Sequence, residues 1–266
     1  MTIVVIGDLM ADVVARHDAP LAHGSDAEAS TRLRGGGAGG NVAAWLLHAG
    51  AEVALVGRVG DDALAAVALD GLPDDHVQRA AGERTGVCVV LVGPDGERTM
   101  LPDAGANAAL ALDELPEGDV LYLSGYTLLR DGSRAAGQRA LTIARERGMR
   151  IALDLASAAP LAREPQFMAW AGEVDLLLAN EDELAVVGRS AAHELVIKRG
   201  ARGATWTDGE RRIDVPAQPA DARDTTGAGD AFAAGFLSAW ADDPQPALAR
   251  ATELAALAVA RHGARP

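Results

Sequence analysis

Short runs of Val, Ile and Leu, apolar on both faces, recur along this chain, with longer Ala-rich segments of helical spacing between them. The runs fall at Ile3–Ile6, Glu52–Val56, Val120–Leu123, Arg150–Leu153, Val174–Leu178 and Glu194–Lys198. A strand that is apolar on both faces must be covered on both, and an intervening helix lets each connection return parallel. Helices are predicted over Gly40–Ala49, Ser133–Gly148, Leu161–Ala171, Asn180–Val187 and Pro246–Arg261. Gly227–Trp240 adds another, with Phe232, Phe236, Leu237 and Trp240 on one core-facing side. The expected fold class is α/β: a doubly wound, mainly parallel sheet with helices on both faces, plus a small β-sheet lid.

The lid is read from two breaks in that rhythm. Segments 12–33 and 85–102 contain strand-like stretches with no helix between them. Val87–Val92 and Glu97–Leu101 flank Gly93-Pro94-Asp95-Gly96, a turn sequence that predicts a β-hairpin. A second hairpin is predicted around Thr207-Asp208-Gly209-Glu210. The division expected is therefore 1–11, 34–84 and 103–266 as the main domain, with 12–33 and 85–102 as the lid over its carboxyl edge.

Composition narrows the partners. Lys and Arg number 24 against 38 Asp and Glu, a formal net charge of −14. Nucleic acid and anionic membranes reward clustered cations, so neither is expected as a partner. The amino-terminal residues read as a first core strand rather than a signal peptide, and no apolar run has the length to cross a bilayer. Cys88, the single cysteine, sits in an apolar run and reads as a reduced core thiol, which points to the cytoplasm. The six histidines show no metal-ligand spacing.

The most informative string is Asp224-Thr225-Thr226-Gly227-Ala228-Gly229-Asp230-Ala231-Phe232. Small residues where a helix begins leave backbone N–H groups unpaired and accessible, and the helix dipole adds positive potential. Gly227, Ala228 and Gly229 thus offer an anion site, and Asp230 beside it could serve as a general base in phosphoryl transfer to an alcohol. The plainer alternative is a tight turn with Asp230 decorating the first helical turn.

The nine-residue string closely resembles the carboxyl-terminal signature of the PfkB/ribokinase family of carbohydrate kinases. Other strings agree in order: Asp12 after the first strand, Gly36-Gly37-Ala38-Gly39-Gly40-Asn41, Gly57–Asp62, Gly105-Ala106-Asn107, Asn180-Glu181-Asp182-Glu183, and Lys198-Arg199-Gly200 to Gly203. The resemblance implies ATP and Mg²⁺ as cofactors and a sugar-like acceptor. It implies that Asp12, Gly36, Gly37 and Asn41 bind the acceptor. Asn180, Lys198, Gly200, Gly203, Thr226, Gly227 and Gly229 are then placed at the nucleotide, and Glu183 at Mg²⁺ through water. Asp224 and Thr226 match positions that help hold a monovalent cation such as K⁺ in many relatives. Some relatives pair through their lids, so a homodimer through the lid stays open.

Alternatives remain beside that reading. Asn180 and Glu183 also have the spacing of a helix capping box. Lys198 stands where ribokinases carry a small hydroxylic residue, so ribose as acceptor is not implied. The segment 63–84 is short for the helix and loop that the family carries there. Gly35, Gly37 and Gly40 fit a dinucleotide fingerprint, but more than twenty residues separate them from the first strand, and no Walker A motif is present. Aromatic residues are scarce, and Tyr126 is the one expected near the acceptor, which favours a sugar over an adenosine-like nucleoside. A non-catalytic sugar- or nucleotide-binding protein would have no need of Asp230.

Overall fold

The computed structural model describes every residue except 96 and 189–191. Its strands are β1 (Thr2–Ile6), β2 (Met10–Arg16), β3 (Ser30–Gly36), β4 (Glu52–Gly60), β5 (His76–Ala80), β6 (Gly86–Val92) and β7 (Arg98–Asp103). They continue as β8 (Val120–Ser124), β9 (Arg150–Asp154), β10 (Leu176–Asn180), β11 (Glu194–Lys198), β12 (Ala204–Thr207) and β13 (Arg212–Val215). Among the described residues nine strands form one sheet in the order β13-β12-β11-β10-β9-β8-β1-β4-β5, and β3-β2-β6-β7 form a second. From β5 to β11 the large sheet is parallel, and β12 and β13 extend it antiparallel.

The helices are α1 (Ala38–His48), α2 (Ala63–Ala68), α3 (Gly125–Leu129), α4 (Asp131–Glu146), α5 (Ala158–Leu161), α6 (Phe167–Ala171), α7 (Glu181–Val187), α8 (Ala228–Ser238) and α9 (Pro244–Val259). Alternation along each strand divides the interior into two cores. Ile3 and Val5 of β1, Tyr122 of β8 and Leu176 and Leu178 of β10 pack on one face with α1, α8 and α9. Their neighbours Val4, Ile6, Leu121, Leu123 and Leu177 pack on the other with α4 and α6. Each fully buried Leu, Ile or Val contributes about 1.5–3 kcal/mol, so a one-residue slip in any central strand would forfeit several such terms. Five of the six strands read from the sequence start within one residue of their apolar runs.

The differences have local causes. The single helix expected over Leu161–Ala171 is instead two short ones, α5 and α6, because Pro165 cannot continue a helix across the gap. Strand β10 runs Leu176–Asn180, two residues later than Val174–Leu178. The segment 63–84 holds a six-residue helix and an edge strand, β5, whose mixed sequence His-Val-Gln-Arg-Ala carries no apolar run. In the small sheet β2–β3 and β6–β7 pair antiparallel while β2 and β6 pair parallel. Its strands begin at Met10 and end at Gly36 and Asp103, somewhat beyond the segments read as a lid. The hairpin turn residue Gly96 lies outside the described residues.

Strand order fixes where a site can form. From β1 the chain goes outward to β4 and β5, then returns to lay β8 on the opposite side of β1. A crevice opens at the carboxyl ends of strands flanking such a reversal. Into it project the first polar residues after each apolar run: Asp8 after β1, Ser124 ending β8, Asp154 ending β9, Asn180 ending β10 and Lys198 ending β11.

Candidate active site

One cavity of 630 Å³ runs from the underside of the small sheet to the tip of α8. Asp12, Gly37, Asn41 and Tyr126 line one end, and Asn180, Glu183, Lys198, Gly200, Thr226, Gly227, Gly229 and Asp230 the other. Met10, Cys88, Arg98, Met100 and Pro102 roof it from the small sheet. A second cavity of 480 Å³ shares Lys198, Gly200, Thr225 and Gly229 with the first. It continues past Gly203 and Ala228 into a mostly apolar slot between Ala217–Ala220 and the α9 residues Ala255, Ala256 and Val259. Two compartments, one polar and one apolar, thus meet at the start of α8.

That junction is built by backbone geometry. Gly227 caps α8 in the left-handed region at φ 72°, and a Cβ there would lie 2.5 Å from the Ala264 carbonyl oxygen. Ala228 donates its amide to Thr225 at 3.3 Å, whereas among the described residues no protein acceptor takes the amides of Gly227, Gly229 and Asp230. Of the Gly227–Gly229 set read in the sequence, Gly227 and Gly229 keep free donors, Ala228 does not, and the Asp230 amide takes its place. Lys198 Nζ approaches to 3.8 Å of where a Gly229 side chain would start, which places an ammonium beside them. Lys198 in turn is held by Asp154 at 2.9 and 3.0 Å, a pair that the sequence did not announce.

Asp230 stands in the first turn of α8. Dense protein surroundings push its carboxyl up to about 7, against the lowering effect of a hydrogen bond that Asn41 Nδ2 donates to Oδ2 at 2.8 Å. Asn41 is therefore already engaged with the carboxylate. Its Oδ1 meets Arg265 Nε at 3.4 Å. Asp12, only 6% exposed, is raised to about 6 by burial, with Arg265 opposing. Arg265 also donates to the carbonyls of Gly36 and Ala68, and burial lowers its guanidinium to about 10.

Gly36 departs from its expected place. It does not line the cavity, and a side chain there would overlap the Asp12 carboxylate, so its bareness makes room for Asp12. Gly37 does line the cavity, with φ 83° and no space for a Cβ beside Asp8. Tyr126 lines it too, with Arg130 stacked 5.4 Å above the ring. Arg130 forms a fork onto both oxygens of Asp8, each bond 2.5 Å, an ion pair between residues 122 apart in sequence.

Asn180 and Glu183 form the capping box. Asn180 Oδ1 accepts from the Glu183 amide at 2.8 Å, and Glu183 accepts from the Asn180 amide and Nδ2 at 2.8 and 2.7 Å. Burial raises the Glu183 carboxyl, while Lys198 opposes. Asp224 and Thr226 are joined to each other and to Arg98 of β7. Among the described residues no cluster of three or more His, Cys, Asp or Glu forms a ready metal cage.

A family model for "pfkB family carbohydrate kinase" matches residues 1–266. The chain belongs to that family. It is 33% identical to an ATP-dependent ribose-1-phosphate kinase from Halopiger xanaduensis over 96% of this chain and 90% of that protein. With a deoxyribokinase from Salmonella typhi it shares 26% identity over 99% and 94% of the two chains. Arabidopsis thaliana ribokinase, solved with ribose and ATP, superposes on this kinase with a TM-score of 0.82 at 25% identity, covering 98% and 93%. Adenosine kinase from Sinorhizobium meliloti shares the fold with a TM-score of 0.86 at 24% identity, covering 99% of this chain and 95% of that one. The chain is thus a phosphotransferase with an alcohol group as acceptor. No helix among the described residues is long and apolar enough to cross a membrane.

Proposed function

We propose that this kinase transfers the γ-phosphoryl group of ATP to a hydroxyl of a sugar, with Asp230 as general base. The observation that carries this reading is the position of Asp230 in the larger cavity, one residue beyond Gly229, where the apolar slot joins it: one oxygen is fixed by Asn41, and the helix-tip amides and Lys198 lie alongside. A carboxylate titrating near 7 is matched to taking a proton from an alcohol at neutral pH. In this reading the acceptor lies among Asp12, Asn41 and Gly37, whose acceptors and donors suit a ring of hydroxyls. The adenine lies in the apolar slot against α9, and the terminal phosphates reach the tip of α8, where amides and an ammonium oppose their charge. The small sheet acts as a lid that keeps water from the transferring group.

The donor set fits Mg²⁺, a hard cation that keeps several waters and takes few protein carboxylates. Glu183, whose oxygens among the described residues accept only from the neutral N–H groups of Asn180, would hold it through water, and the ion would neutralise charge on the phosphates.

A second reading has an acceptor that is already phosphorylated. Arg130, at the acceptor end of the cavity, favours it, as does the 33% identity to a kinase named for ribose 1-phosphate. Exchange of Asp8 for a substrate phosphate would free the Arg130 fork for bidentate binding. One assay addresses both: ADP release with free sugars, sugar phosphates and nucleosides, using the wild type and Asp230→Asn. The variant is expected to bind ATP within a few-fold of wild type and to lose about 10²- to 10⁴-fold in turnover. Near-normal turnover would remove Asp230 from its role, and activity on nucleosides alone would overturn the sugar assignment.

A further inference from the structure

Strand β7 is almost wholly exposed, and Arg98 at its start is the exception. Its side chain is 22% exposed and leaves the small sheet to reach the loop before α8. There Nη1 donates to Asp224 Oδ1 at 2.6 Å and to the Thr226 hydroxyl, and Nη2 donates to the Thr225 hydroxyl. The same Oδ1 accepts from the Thr226 amide and hydroxyl at 2.9 and 2.6 Å, and Oδ2 accepts from the Gly263 amide at 3.0 Å. Every side-chain oxygen that Asp224 and the two threonines could offer a cation is therefore turned toward a guanidinium or an N–H or O–H donor. A monovalent cation held by Asp224 and Thr226, as the family resemblance implies, does not fit this arrangement, because a fixed positive charge already stands on the carboxylate.

We infer that Arg98 is the resident cation of the Asp224–Gly227 loop, so that this kinase orders its phosphate-binding loop without K⁺. The inference rests on the nucleotide reading above, and it gives Arg98 a positioning role rather than a chemical one. Arg98 belongs to the lid and Asp224 to the loop that opens the anion site, so the ion pair forms only with the lid over the cavity. Closure and ordering of the loop are one event, with the charge supplied from the lid.

The test is calorimetric titration of a non-hydrolysable ATP analogue with Mg²⁺, in tetramethylammonium chloride and in KCl at a common ionic strength of about 0.1 M, where screening is equal. Wild-type affinity is expected to agree in the two salts within about threefold. Arg98→Ala is expected to bind at least about tenfold more weakly in tetramethylammonium chloride and to recover in KCl, a coupling of ordinary allosteric size. Arg98→Lys, which keeps the charge and guards against a fold defect in the alanine variant, is expected to stay insensitive to K⁺. The inference is overturned if K⁺ tightens wild-type binding about tenfold, if Arg98→Ala binds like wild type without K⁺, or if its defect ignores K⁺ while Arg98→Lys becomes K⁺-dependent. Absence of analogue binding by the wild type in both salts would instead reject the nucleotide reading, and this inference with it.

Discussion

The hydrogen bond from Asn41 to Asp230 is a direct lever on the proposed base. Burial already raises the Asp230 carboxyl to about 7, and Asn41 Nδ2 at 2.8 Å works in the other direction by stabilising the ionised form. A hydrogen bond to a charged group contributes about 1.5–3 kcal/mol, and one pKa unit corresponds to about 1.36 kcal/mol. Asn41→Ala should therefore raise the carboxyl by roughly one to two further units. The base acts ionised, so the acid limb of kcat/KM should move from about 7 toward about 8–9. At pH 7 roughly half of the wild-type carboxylates are ionised, against about a tenth to a hundredth in the variant, a loss of roughly 5- to 50-fold. Raising the pH should restore most of that loss. The assay is the pH–rate profile of ADP release from about pH 5.5 to 9.5 for both proteins. An acid limb that stays near 7 in Asn41→Ala, with activity lowered equally at every pH, would refute the reasoning and leave Asn41 as an acceptor ligand only.

Two further outcomes follow from the same geometry. Because the folded carboxyl of Asp230 is raised from 3.8 to about 7, the folded state holds that proton more tightly than the unfolded chain. Its ionisation destabilises the fold progressively between those values and fully above them, by up to about 4 kcal/mol, so Asp230→Asn should raise the melting temperature more at pH 8 than at pH 5. An equal shift at both pH values would contradict the burial argument. Gly227→Ala must hold a left-handed residue against the Ala264 carbonyl, at a cost of about 1–3 kcal/mol, and should lower both melting temperature and ATP-analogue affinity. An unchanged melting temperature would show that the helix start can relax.

How much of this was legible depends on whether the signal is local. The central strands were readable because each is a run of residues that all find apolar surroundings, and the Asp224–Phe232 string because its small residues and helix start are contiguous. The partners that complete the site are remote in sequence. Lys198 meets Asp154 across the intervening strand β10, a proximity set by strand order rather than by spacing. Arg265, the penultimate residue, reaches Gly36 and Ala68 by the path of the segment after α9, which no motif marks. Arg98 carries no motif in the sequence, and its ion pair with Asp224, 126 residues away, is set by how the small sheet folds over the loop before α8. One signal could have found Asp8 and Asp154 earlier: each is the polar residue that closes or follows an apolar run, the place where a parallel sheet presents side chains to its crevice. The broken helix was legible as well, since Pro165 sits inside the segment read as continuous.

The chain's excess of acid is reconciled with an anionic nucleotide once the carboxylates around the cavity are separated by what holds them. Asp224 and Asp230 lie six residues apart on one loop and helix start, yet they are driven in opposite directions. Burial raises Asp224 too, but Thr226, the Gly263 amide and Arg98 outweigh it and hold it below the usual carboxylate range. Asp230 receives one neutral donor, and burial prevails. The first is a fixed anion whose charge is spent on ordering the loop, and the second is a carboxyl kept close to its titration point. Lys198 with Asp154 and Arg130 with Asp8 are similarly matched, cation against anion. In the proposed reading, arriving phosphates would meet fixed carboxylates that already have partners, together with amides that have no protein acceptor among the described residues. Opposed environments for neighbouring acids are how one site assigns structural and proton-transfer roles to the same functional group. The arrangement also explains why the global charge is a poor guide to the ligand, because the field that a phosphate meets is set within a few ångströms of the α8 tip.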